Sequence, residues 1–202
     1  MLRLGMVALA IAASGAVEAG NAADNAPKRS AAEAMDVLMW NREPVGGPFK
    51  LIDHRSKRRT DADFRGQLML VYFGYTFCPD VCPTDLVQIG LAMEKLGAAS
   101  KEVQPIFVTL DPARDTPMHL AAYIPNFHPR MLGLTGTAVE VRKAADAYKV
   151  YYQKVAAQGG PGYTVDHTAF IYLMDRKGKY LGFFPPGTDA ARMAEQVRSH
   201  LR

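Results

Sequence analysis

The apolar run Leu-Met-Leu-Val-Tyr-Phe at residues 68–73 decides the fold of this 202-residue chain. Its length and its β-branched and aromatic members predict a strand that is buried on both faces. Residues 103–110 predict a second buried strand, and residues 84–96 between them show the apolar spacing of a helix that packs on one face. Two buried strands joined by a helix indicate an α/β sheet.

Weaker signals extend this unit in both directions. Strands are predicted at residues 49–53, 131–134 and 150–155, helices at 116–126 and 137–148, a β-hairpin from 169–174 and 180–184, and a final helix on which Met193, Val197 and Leu201 recur. Thr116-Pro117 and the pair Thr137 and Glu140 are typical of helix starts. The order is therefore β, β-α-β-α, β-α, hairpin and helix, which predicts a mixed sheet flanked by helices.

Composition indicates one ordinary globular domain, because 49% of residues are hydrophobic and 22% are charged. The formal net charge is +4, and the basic residues are scattered along the chain. Their one local cluster, Arg55, Lys57, Arg58 and Arg59, is interpreted as a solvated loop rather than an anion-binding site. No nucleic-acid-binding motif is found, so no nucleic-acid partner is expected.

The amino terminus has the three-part pattern of an export signal. Arg3 precedes the apolar residues 4–17, and Val17-Glu18-Ala19 offers a cleavage site. The apolar stretch is short for a membrane span, so a cleaved signal peptide over residues 1–23 is favoured over a retained anchor. Residues 24–44 are interpreted as a tether, and residues 45–202 as the domain. The protein is expected in the periplasm, soluble or tethered to the inner membrane.

The two cysteines, Cys78 and Cys82, follow the buried strand at residues 68–73. Sites in open α/β sheets lie at this carboxyl end of the strands. A four-residue spacing puts both sulfurs on one face if the segment is helical, and a helix N-terminus favours thiolate over thiol. The residues alone leave open a disulfide, a redox pair and a site for a soft metal ion such as Cu(I).

Of the five histidines, His167 differs from the others in its position. It precedes the predicted strand at residues 169–174 and lies beside Asp166. On the residues alone, a hydrogen-bonded structural role for this imidazole is favoured over that of a third ligand.

Four blocks of sequence carry a family resemblance. They are Val-Tyr-Phe-Gly-Tyr-Thr-Phe-Cys-Pro-Asp-Val-Cys-Pro-Thr-Asp-Leu at 71–86, Thr-Leu-Asp-Pro-Ala-Arg-Asp-Thr-Pro at 109–117, Leu-Thr-Gly-Thr at 134–137 and Val-Asp-His-Thr at 165–168. In this order they resemble the SCO/SenC family over about residues 45–202. Members of that family are thioredoxin-like copper proteins that help to build the dinuclear copper centre of cytochrome c oxidase.

The resemblance implies a thioredoxin-like fold with Cys78, Cys82 and His167 as ligands of copper, as Cu(I) and also as Cu(II). It places Asp111 near the site, and Asp166 either orients His167 or belongs to a plain turn. One departure is Phe77, which stands where many members have a histidine; it removes no ligand.

The expected function is that of a redox-gated copper chaperone rather than an enzyme. Its expected partners are an upstream copper donor and a copper-accepting oxidase subunit, close to a membrane. In this interpretation a disulfide between Cys78 and Cys82 is copper-free. The alternative is a thiol–disulfide oxidoreductase that reduces a partner's cysteines, although redox thioredoxins use Cys-x-x-Cys rather than the spacing found here. A peroxidase-type enzyme and a structural disulfide are the remaining alternatives.

Overall fold

The computed structural model describes residues 35–36, 39, 43–157 and 162–201. The predicted signal peptide, residues 1–23, and most of the predicted tether lie outside the described residues, as does most of the turn at 158–162. No helix among the described residues has the length and hydropathy needed to cross a membrane.

A seven-stranded mixed sheet forms the centre of the molecule. Its strands, in chain order, are β1 (Lys50–Asp53), β2 (Arg58–Thr60), β3 (Leu68–Gly74), β4 (Val103–Thr109), β5 (Leu132–Thr135), β8 (Ile171–Met174) and β9 (Tyr180–Phe184), and β6 (Tyr152–Ala156) and β7 (Tyr163–His167) form a separate two-stranded sheet. The spatial order is β2-β1-β5-β4-β3-β8-β9. Strands β3, β4 and β5 are parallel, whereas β1 and β8 run antiparallel to their neighbours, which confirms the predicted mixed sheet.

Four described helices cover the sheet: α1 (Val81–Leu96), α2 (Pro117–Tyr123), α3 (Ala138–Ala147) and α4 (Ala190–Ser199). Successive side chains of β3 point to opposite faces. Phe73 packs against Tyr148, which follows α3, with ring centroids 5.2 Å apart. Tyr72 packs on the other face against Phe107, which in turn contacts Tyr123 of α2. Helices therefore lie on both faces, as the alternation of strands and helices predicts.

Strand β3 is buried at every position, in agreement with its unbroken apolar sequence. The predicted caps are also present. The Thr116 hydroxyl accepts a hydrogen bond from the backbone of His119, and Thr137 and Glu140 form the expected capping box. These local signals depend only on residues three positions apart, and this explains why they can be read from sequence.

The strands of the structure differ from the sequence interpretation in two places. Part of the basic cluster is strand β2, and Arg59 forms an ion pair of 2.8 Å with the buried Asp53 instead of lying in a solvated loop. His167 ends a strand, β7, that the sequence did not predict. Strand β7 pairs with β6 so that His167 lies opposite Tyr152.

Candidate metal centre

The two cysteines lie where β3 turns into α1. Cys78 is half-buried in the connecting loop, and Cys82 is the second residue of α1 and fully buried. The Cys82 amide donates to the Cys78 sulfur over 3.4 Å. The sulfurs thus meet across a loop and the first turn of a helix, and not on one helix face as the spacing had suggested.

Close packing beneath the cysteines depends on Gly74, the last residue of β3. A Cβ atom at this position would lie 3.0 Å from the Cys82 sulfur. A larger residue here would therefore push the sulfur away from the strand. The backbone itself is fixed here, because the Leu110 amide donates to the Gly74 carbonyl over 2.7 Å.

His167 completes a group of three ligand atoms. Its Nε2 lies 3.3 Å from the Cys82 sulfur, and its Nδ1 lies 3.1 Å from the Thr168 carbonyl oxygen. A carbonyl oxygen only accepts hydrogen bonds, so this contact puts the ring proton on Nδ1 and leaves an Nε2 lone pair facing the thiols. Tyr75 packs edge-on against the imidazole with ring centroids 6.0 Å apart.

The donor atoms fit a soft metal ion. One atom from each of Cys78, Cys82 and His167 lies within 4.8 Å of the others. Bonds of about 2.0–2.3 Å to one central ion in a trigonal arrangement place ligand atoms about 3.5–4 Å apart. Two thiolates and an imidazole are donors that suit Cu(I). Both cysteines are free thiols in this structure, so the sulfurs are available as ligands.

The two thiols differ in acidity. A hydrogen bond from the Cys82 side chain lowers the pKa of Cys78, with further help from the Asp80 backbone. The pKa of Cys82 is raised, because Cys82 donates that hydrogen bond and is buried. The pair therefore holds one negative charge, on the more exposed sulfur, and one proton, on the deeper sulfur.

Asp85 lies beneath the thiols on α1 and was not predicted as part of the site. It is fully buried, and burial raises its pKa. Its Oδ1 accepts from the Gly187 amide over 2.9 Å, which ties α1 to the segment before α4. Its place one helical turn after Cys82, among apolar residues, is the signal that points to burial.

Asp111 and Asp166 occupy different positions relative to the three ligand candidates. Asp111 is buried in a network beside them, where it accepts from the Tyr163 hydroxyl at 2.8 Å and pairs with Arg114. Asp166 is exposed and adjacent to His167 on a strand, so the two side chains point to opposite faces. The structure thus groups Cys78, Cys82 and His167 and places Asp111 in the neighbouring network with Tyr163 and Arg114. The Thr168 carbonyl, and not Asp166, lies against the imidazole.

Tyr163 and Arg114 belong to this network and were missed as site residues. Arg114 lies within the block at 109–117 that carries the resemblance. Tyr163 gives no sequence signal, because its partner Asp111 is 52 residues away.

The fold and the site together define a thioredoxin-like protein with a thiol–thiol–imidazole site for a soft metal ion. A family model described as SCO1/SenC matches residues 39–202. The chain therefore belongs to the SCO1/SenC family.

Solved structures of similar proteins include two that contain copper. Arabidopsis thaliana ScoI with copper bound is 36% identical, with a TM-score of 0.74 over 78% of this chain and 98% of that one. Bradyrhizobium japonicum ScoI with copper bound is 40% identical, with a TM-score of 0.72 over 77% of this chain and 99% of that one.

Among curated proteins, the human mitochondrial protein SCO2 homolog is 41% identical over 157 residues, which are 77% of this chain and 59% of that protein. The chain thus spans about three fifths of the length of this relative.

Proposed function

We propose that this protein binds copper through Cys78, Cys82 and His167 and passes it to the dinuclear copper centre of a cytochrome c oxidase. The observation that carries the proposal is the convergence of the three ligand atoms within 4.8 Å. Support comes from membership of the SCO1/SenC family and from the copper-bound ScoI structures of Arabidopsis and Bradyrhizobium.

Loading begins at Cys78, because its sulfur is the more exposed and carries the negative charge. Binding at Cys82 then displaces that thiol's proton, since a metal-bound sulfur is a thiolate. Nε2 of His167 adds the third bond with its proton held away on Nδ1 by the Thr168 carbonyl. Release to an acceptor also begins at the accessible side, where a ligand of the acceptor replaces Cys78 before the buried Cys82.

The oxidation state of the cysteine pair controls loading in this proposal. A disulfide of a partner protein oxidises the pair. The Cys78 thiolate attacks one partner sulfur, the Cys82 thiolate then attacks Cys78, and the partner leaves with two thiols. The resulting Cys78–Cys82 bond removes the thiolate charges through which the two sulfurs bind copper. The oxidised protein is therefore free of copper.

The same exchange is also the second candidate function, because it reduces the partner's disulfide to two thiols while the Cys78–Cys82 pair is oxidised. The lowered pKa of the half-buried Cys78 favours it, because a thiolate is the attacking species. The contact between His167 and the Cys82 sulfur favours copper binding over disulfide reduction, because thiol–disulfide exchange requires no imidazole ligand.

The proposed partners are an upstream copper donor and a copper-accepting oxidase subunit. The proposed location is outside the cytoplasm, in the periplasm. This location rests on the leader-like pattern of residues 1–23.

The test is a competitive Cu(I) titration of the reduced protein against a chromophoric chelator. We expect one equivalent to bind tightly and Cys78→Ser, Cys82→Ser and His167→Ala each to weaken binding. The exposed His200→Ala serves as the matched control and is expected to bind as the wild type does. Unchanged affinity in His167→Ala would rule out the three-ligand site. Disulfide reductase turnover without copper affinity would assign the second function.

A further inference from the structure

The strand that carries His167 is not part of the seven-stranded sheet. Strands β6 and β7 pair only with each other. Their open end is closed by the Thr168 amide, which donates to the Tyr151 carbonyl over 3.0 Å. Side-chain contacts therefore have to fix this hairpin against the loop that carries Cys78, since main-sheet pairing does not.

Arg114 makes contacts with both segments. Its guanidinium carbon lies 3.9 Å from the ring centroid of Tyr163, the first residue of β7, and 4.6 Å from that of Phe77, the residue before Cys78. Its Nη1 donates to the Tyr163 carbonyl over 3.1 Å. One planar cation is thus stacked between the cysteine loop and the strand that ends at His167.

Asp111 fixes this arginine in place. The carboxylate is fully buried and pairs with Nε of Arg114. It also accepts from the Tyr163 hydroxyl at 2.8 and 3.0 Å and lies 3.3 Å from Nζ of Lys154 on β6. Both strands of the hairpin therefore contact the same carboxylate. The orientation of the guanidinium plane is set by hydrogen bonds on one edge and by aromatic rings on its faces.

We propose that Arg114, held by Asp111, is a positioning residue that joins the Cys78 loop to the His167 strand and so keeps the imidazole within bonding distance of the thiols. The copper part of this inference rests on the proposed function. The positioning itself is a property of the metal-free protein and can be measured without copper.

Arg59 provides a matched control. It also pairs with a fully buried carboxylate, that of Asp53, and its side chain is 23% exposed, against 25% for Arg114. The pair lies between β1 and β2 at the far edge of the sheet. Arg59→Ala and Arg114→Ala are therefore expected to lower the free energy of unfolding to a similar extent, whereas only Arg114→Ala should loosen the hairpin.

The first measurement is hydrogen exchange of the β6–β7 amides in the reduced, metal-free protein. Loss of charge-assisted hydrogen bonds is expected to speed exchange about 10- to 100-fold in Arg114→Ala relative to Arg59→Ala. Arg114→Lys is expected to resemble Arg114→Ala, because an ammonium retains the charge but not the planar fork. Full rescue by lysine, or equal exchange in Arg59→Ala, would overturn the proposal.

The second measurement uses Cu(I) and Cu(II) ions. Arg114→Ala should lower Cu(I) affinity by about 10- to 100-fold, the usual effect of losing a residue that orients a ligand. It should also weaken the imidazole nitrogen couplings in the electron paramagnetic resonance spectrum of the Cu(II) form, while the Arg59→Ala spectrum stays as in the wild type. Wild-type affinity and couplings in Arg114→Ala would contradict the inference. A wild-type protein without copper affinity would contradict the proposed function instead, and the exchange measurement would still decide the role of Arg114.

Discussion

The chemistry of the site depends on an asymmetry between two identical side chains. Cys78 is half-buried in a loop, and Cys82 is fully buried on a helix. The hydrogen bond between them lowers the pKa of the first thiol and raises that of the second. The more exposed sulfur is therefore the reactive one, both towards a metal ion and towards a disulfide.

This asymmetry predicts the pH dependence of alkylation in the reduced protein. An unperturbed thiol loses about 100-fold in rate between pH 8 and pH 6, because only the thiolate reacts. Since the pKa of Cys78 is lowered, its thiolate persists as the pH falls through this window, and its rate should change little. Mass spectrometry after iodoacetamide treatment at pH 6 should find Cys78 modified and Cys82 protected.

The variant Cys82→Ala is the control for this measurement. It removes the hydrogen-bond donor and should shift the pH profile of Cys78 upward. A wild-type profile that falls with pH as steeply as that of a free thiol would refute the assigned asymmetry.

At the scale of elements, α1 carries Cys82 and packs closely against the segment after α2. A Cβ atom on Gly90, in the middle of α1, would lie 2.3 Å from the Phe127 carbonyl oxygen. A backbone atom cannot rotate away as a side chain does. The position of α1, and with it of Cys82, therefore depends on this glycine.

Gly90→Ala should destabilise the protein, although alanine is the better helix former. Overpacking costs about 1–3 kcal/mol, and the gain in helix propensity is about 1 kcal/mol. We expect a net loss of about 1 kcal/mol in the free energy of unfolding, measured by urea denaturation. Gly182→Ala on β9 is the control, because nothing lies within 4 Å of its Cβ position, and it should be neutral or slightly stabilising. A Gly90→Ala variant that is more stable than the wild type would show that the segment at Phe127 moves to accommodate the added methyl group.

Some strands and helix caps could be predicted from the sequence, and others could not. Strand β3 and the cap at Thr137 were predicted because an unbroken apolar run and a three-residue spacing are local signals. Strand β7 was missed because only Val165 of its five residues is buried, so no apolar run marks it. The short β2 was missed because its arginines resemble a solvated loop.

At the scale of the whole molecule, the site joins parts of the chain that are distant in sequence. Cys82 and His167 are 85 residues apart, so no local pattern could pair them and only the family resemblance predicted the contact. A disulfide between Cys78 and Cys82 closes a loop of five residues, counting both cysteines, whereas a metal held also by His167 would connect α1 to the β6–β7 hairpin. The two modifications of the same thiols should therefore stabilise the fold to different extents.

Thermal unfolding of the reduced, disulfide and Cu(I)-loaded forms tests this difference. Loop closure by the disulfide is worth about 2 kcal/mol. A bound ion at 1,000 times its Kd stabilises by about 4 kcal/mol. We expect the unfolding temperature to be highest for the copper-loaded protein and the excess over the disulfide form to disappear in His167→Ala. A disulfide form that unfolds at a higher temperature than the copper-loaded form would contradict the cross-link through His167.

The basic residues of β2 have a further consequence for solubility. This strand forms one edge of the seven-stranded sheet, where unpaired backbone groups offer a template for aggregation with another chain. The strand is only three residues long, and Arg58 and Arg59 place two charges on it, one neutralised by Glu140 and one by Asp53. A short, charged edge resists the addition of a foreign strand. The cluster thus protects this edge of the sheet from pairing with another chain while the protein folds.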